Sequence, residues 1–202
     1  MINSKNIKKH EKLRYSLEKF GIKDYYVIAT ERIEFINEYS SSVLFYGDND
    51  YIEVFGVEQG EISDICKFKN EEDALNYFFW SLTQFESEAK TYYSVYEEVK
   101  PEKKLPDELS IQENIEMLNV ALEVKNIPLH RYKITNSDNY FDMNGLVLLC
   151  GRQDEKFAVF KMNSGFKEEI AIFDDFEEAS DFVFWTLTSA KTYIQVYNED
   201  HS

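Results

Sequence analysis

Three histidines, two cysteines and a large pool of carboxylates are the groups in this 202-residue chain that could hold a metal, carry a proton or attack a substrate. Their spacing decides whether they do. His10, His130 and His201 sit in a helix-like stretch, near the start of a strand-like run and at the tail. None is spaced from a cysteine or carboxylate as zinc-binding patterns such as HExxH require, and each reads as a loop or helix-surface residue. Cys66 and Cys150 lie in separate strand-like runs with no CxxC pair, so both read as reduced, buried small hydrophobes. The acidic run DDFEEASD (174–181) lacks the alternating ligand order of a calcium loop and suits the positive end of a helix dipole instead. No phosphate-cradling glycine loop and no GxSxG elbow occurs. The chain reads as non-enzymatic, with no catalytic residue, no metal and no cofactor.

Carboxylates can also act together as a field. The formal net charge of −16 repels nucleic-acid phosphates and anionic lipid, which argues against direct nucleic-acid or membrane binding. A basic protein partner would instead be attracted from a distance. The charge is uneven along the chain. Residues 31–64 hold nine acids, Glu31, Glu34, Glu38, Asp48, Asp50, Glu53, Glu58, Glu61 and Asp64, against Arg32 alone. The stretch 136–169 holds six acids and four bases. Glu31, Glu34, Glu38, Asp48, Asp50, Glu53, Glu58 and Glu61 are therefore the expected partner-binding set.

The elements that must position these acids are legible from an internal repeat. YFFWSLT (77–83) returns as FVFWTLT (182–188), with Trp80 and Trp185 in the same place. Phe55 and Phe160, Gly60 and Gly165, and Ala74 and Ala179 align at the same offset of 105. AKTYYSVYEE (89–98) matches AKTYIQVYNE (190–199) at an offset of 101, so the first copy carries four extra residues between Thr83 and Ala89. Two repeats, 1–98 and 110–202, are joined by a linker at 99–109 that contains two prolines.

Each repeat parses alike. A first helix spans about 6–20, or about 110–125 in the second copy, where Ser110 and Glu113 form a capping box. Strand-like runs follow: YYVIAT, EFIN, SVLFYG, YIEVFGV and ISDICKF in the first copy, and RYKIT, NYFDM, LVLLC, KFAVFKM and EEIAIF in the second. Their hairpin-sized breaks suggest an antiparallel meander. A long helix closes each copy, about 71–98 and 175–198. The expected fold class is α+β: two tandem repeats, each helix, antiparallel β-meander and long helix, packed with pseudo-twofold symmetry. On a helical wheel Leu75, Phe78 and Leu82 cover the sheet, while Tyr77 and Trp80, with Phe182 and Trp185, fall on the opposite face. That second face is expected to make the packing between repeats.

The N-terminus has no apolar leader and no apolar run reaches a membrane-spanning length, so a cytoplasmic location is expected. Monomer and dimer are both open. The short helix, the aromatic meander and the closing helix bearing FFWSLT and VFWTLT resemble the small acidic α+β immunity proteins of bacterial polymorphic toxin systems. The resemblance implies a non-catalytic inhibitor that binds a cognate, basic toxin domain and blocks it. An acidic nucleic-acid mimic of the anti-restriction or anti-CRISPR type, or a structural scaffold module, would use the same charge differently.

Overall fold

A computed structural model describes residues 4–31, 40–47, 50–84, 95, 110–137, 143–151, 156–191, 193, 195 and 198. The chain divides into two compact units, Met1–Ala89 with Lys191–Ser202, and Lys90–Ala190. The first holds α1 (Ser4–Lys19), β1 (Tyr26–Ala29), β2 (Ser40–Tyr46), β3 (Ile52–Glu58), β4 (Glu61–Phe68) and α2 (Glu71–Thr83). The second holds α3 (Ile111–Val124), a 3-10 turn (Leu129–Arg131), β5 (Tyr132–Thr135), β6 (Gly145–Leu149), β7 (Phe157–Asn163), β8 (Phe166–Phe173) and α4 (Phe176–Thr188). The class is α+β, and apart from the 3-10 turn the described helices and strands follow the same order in each unit.

Local chemistry sets most of the boundaries. The Ser110 hydroxyl accepts from the Glu113 backbone N–H while the Glu113 carboxylate accepts from the Ser110 N–H, which is the expected capping box. Asn70 caps α2 by accepting from Asp73, and Asp175 caps α4 by accepting from Glu177 and Glu178. Gln59-Gly60 and Ser164-Gly165 all have positive φ, so β3–β4 and β7–β8 are each joined by a two-residue hairpin turn.

The strand directions correct the meander. β2, β3 and β4 are successively antiparallel, but β1 runs parallel to β2, and β5 parallel to β6. Residues 30–39 and 136–144 separate these pairs, and a parallel pair needs such a crossover where an antiparallel pair needs only a tight turn. The expected strands EFIN and, apart from Met143, NYFDM fall outside the described residues. Gly145 opens β6 where the backbone passes close to the 3-10 turn: a Cβ there would lie 2.1 Å from the Arg131 carbonyl oxygen.

Away from the exposed β3–β4 and β7–β8 turns, the strands bury side chains on both faces. In the first unit Ala29, Val43, Phe45, Phe55 and Val57 form a cluster on one face. Leu44, Val54, Cys66 and Phe68 share the other by register, beneath α2. Val147, Leu149, Ala158, Phe160 and Met162 form the corresponding cluster in the second unit. Cys66 and Cys150 are free and buried, and burial pushes the Cys150 thiol up to about 11.

The wheel needs a correction. The Tyr77 ring lies 5.2 Å from Phe68, and Phe182 lies 5.5 Å from Phe173. Both therefore face the strands of their own unit. Phe78 reaches Tyr26 and Phe79 reaches Phe20, so α2 is apolar almost all round because α1 covers it beside the sheet. Trp80 and Trp185 are buried.

The second long helix is also shorter than expected. α4 stops at Thr188, and Ser189 takes a left-handed conformation at φ 55 while its N–H reaches the Trp185 carbonyl. Hydroxyls of Thr186 and Thr188 bond the carbonyls of Phe182 and Phe184, the backbone competition that weakens a helix end. Tyr193, Gln195 and Asn198 are helical again. In the first copy the expected course of the helix over 85–98 lies outside the described residues, except for helical, buried Val95. The linker 99–109 also lies outside them.

Candidate functional site

β3 and β4 hold three exposed acids of the first unit, Glu58, Glu61 and Asp64. Their hairpin turn sets Glu58 and Glu61 as direct cross-strand partners. Like charges directly opposite each other destabilise a sheet, so this pair is a local cost. Ser63, opposite Gly56, continues their face of the ribbon, while Val57 and Ile62 occupy the other. Asp64 sits at a register shift with φ 55, a conformation that Asp adopts more readily than most residues. Glu58, Glu61 and Asp64 are exposed, and no ion pair to them occurs among the described residues.

The other members of the expected partner-binding set are placed less uniformly. Glu31, just beyond β1, and Asp50, just before β3, are exposed. Glu53 turns to Lys67 on the adjacent strand at 3.9 Å and is mostly covered. Glu34, Glu38 and Asp48 fall outside the described residues. Of the described members of this set, Glu58 and Glu61 are the two that stand side by side on one hairpin.

The matching hairpin of the second unit has different chemistry. Asn163 and Phe166 take the places of Glu58 and Glu61, and Phe166 is 80% exposed. On the opposite face of this ribbon, shared with Met162, Lys167 lies 3.9 Å over the Phe160 ring. Lys156 pairs with Asp174 at 2.7 Å.

A second concentration of polar groups lies in the first unit and was not apparent from spacing. His10 is only 7% exposed, which corrects the helix-surface reading; His130 is exposed and His201 lies outside the described residues. The Tyr46 hydroxyl donates to Glu71 at 3.2 Å and lies 2.8 Å from His10 Nε2. A phenol has one proton to give, so His10 Nε2–H is the donor to the Tyr46 oxygen. Lys9 also pairs with Glu71. Burial lowers the His10 pKa, opposed by Glu71 and assisted by Arg14 and Lys9. Burial and the Glu71 carboxylate raise Tyr46 far above the usual phenol range. The network pins α1, β2 and the start of α2 together. The signal for it was His10 with Leu13 and Leu17, a buried stripe at i, i+3 and i+7.

Among the described residues no group of three or more His, Cys, Asp or Glu side chains is arranged to hold a metal ion, and no helix is long and apolar enough to cross a membrane. The hairpin arrangement can attract and pair with cations on a partner. No family model matches the chain, and no curated protein or solved structure is significantly similar to it.

Proposed function

We propose that this chain is a non-enzymatic protein-binding inhibitor, an immunity-type protein that neutralises a basic bacterial toxin domain in the cytoplasm. The observation that carries the reading is the Glu58–Glu61 pair, set directly opposite on an exposed hairpin with Asp64 beside it. A self-repelling pair costs stability in the free protein and gains a purpose when a cationic surface closes over it. The corresponding Asn163–Phe166 hairpin lacks that pair, which directs a basic partner to the first unit. A net charge of −16 adds long-range attraction. The recurring element order and matching turn pairs support two repeats of common descent, with the surface of one specialised for binding.

Association with a panel of basic nuclease-toxin domains, followed by stopped flow, tests this. The cognate pair should associate more slowly as salt rises, and Glu58→Lys with Glu61→Lys should slow it at least tenfold. Reversing Lys161 and Lys167 should not. Binding indifferent to salt and to the hairpin variant would end the proposal. Competition of the chain with DNA for a DNA-binding enzyme, in place of toxin binding, would favour the nucleic-acid mimic.

A further inference from the structure

The repeated AKTY motif coincides with a change of unit. The chain passes from the first unit to the second at Ala89–Lys90, and back to the first at Ala190–Lys191. These are equivalent positions in the two copies of the motif. The first unit is therefore completed by a segment from the far end of the chain, and two side chains hold it there. Trp80 Nε1–H donates to the Lys191 carbonyl at 3.1 Å, and the buried Ser16 hydroxyl donates to the Tyr193 carbonyl at 2.7 Å. Tyr193 itself is only 1% exposed. Burial raises its phenol far above the ordinary range, with Glu72 and Glu71 adding to the effect.

We propose that the seat formed by Ser16 and Trp80 also accepts the Lys191–Tyr193 segment of a second copy of this chain, giving an exchanged dimer. Complementarity needs no new surface, because the occupant is the one already seated. Both hydrogen bonds are accepted by backbone carbonyls, so the seat reads the course of the segment, and the buried Tyr193 ring supplies the anchor. The connection is short: α4 ends at Thr188, and the segment begins after left-handed Ser189 and Ala190. A non-glycine residue at φ 55 relaxes when such a connection extends, which favours the open form that exchange requires. Within one chain the segment is presented at an effective concentration of roughly millimolar, so the closed monomer dominates in dilute solution. Exchange grows as the protein approaches that concentration or as the intramolecular seat is weakened.

Two full-length variants isolate the exchange. Tyr193→Ala weakens the segment by about two orders of magnitude and leaves the seat intact. Ser16→Ala with Trp80→Phe removes both donors and leaves the segment intact. Mixed at about 100 µM, one chain should lend its segment to the other's seat, and native mass spectrometry should record a heterodimer at least about tenfold above the dimer of either variant alone. A mixture in which both variants are folded and monomeric overturns the proposal. Should either variant fail to fold, light and isotopically heavy wild-type chains are mixed near millimolar concentration and warmed gently. Mixed-mass dimers that Tyr193→Phe also forms support exchange, and their absence overturns it.

Discussion

Glu58 and Glu61 form a pair whose stability cost can be measured without a partner. Directly opposed residues next to a two-residue turn have Cα atoms about 5.5 Å apart. With the carboxylates at that separation in water, the repulsion is about 0.75 kcal/mol, and physiological salt with a screening length of about 8 Å roughly halves it. Glu61→Lys turns about 0.4 kcal/mol of repulsion into a similar attraction, a swing of about 0.8 kcal/mol and roughly 3–6 °C in melting temperature for a unit of this size. Glu58→Lys should do the same. The double variant restores a like-charge pair and should lose the gain, apart from the general benefit of reducing a −16 net charge. The coupling energy of the cycle isolates the pair from that background. Chemical denaturation in urea at low salt and in 1 M salt measures it, with the coupling fading as screening tightens to about 3 Å. Additive gains in the double variant would refute the pairing, as would a coupling unchanged by salt.

Further expectations concern the buried network of the first unit and two glycines of the second. Tyr46→Phe leaves the buried His10 N–H without an acceptor and should cost about 1–3 kcal/mol in a urea melt, whereas Tyr25→Phe, at an exposed ring, should cost close to nothing. Because burial holds His10 below its ordinary 6.5, the unfolded chain binds the extra proton first. Stability should therefore fall as pH drops from about 6.5 through the folded value, and His10→Gln should remove that part of the slope in urea midpoints measured against pH. Gly145→Ala drives a methyl into the Arg131 carbonyl and should cost more than about 3 kcal/mol. Gly165→Ala meets open space and should show only backbone strain, about 1–2 kcal/mol in the same melt.

Local signals reached the structure largely intact. The Ser110–Glu113 box and the acidic start of the last helix lie where the sequence suggests, since each depends on residues within four positions of one another. The acids of this hairpin were legible only as part of the count over 31–64, and strand register alone sets Glu58 opposite Glu61. The charge of Glu53 is visible in sequence, while its neighbour Lys67 arrives only through strand pairing. The wheel failed at Tyr77 because a helix covered by both a sheet and another helix has no single apolar face to find.

By itself, the sequence determined the α+β class, the Ser110–Glu113 cap and the charge difference between the halves. These follow from short-range hydrogen bonding, side-chain periodicity and simple counting. Only the tertiary structure decided that β1 runs parallel to β2, that His10 is buried against Tyr46, and that the segment from Lys191 completes the unit that began at the N-terminus. Each of these rests on contacts between residues far apart in the chain, such as Ser16 with Tyr193. Their partners share no spacing rule, so the shape of the packed core selects them.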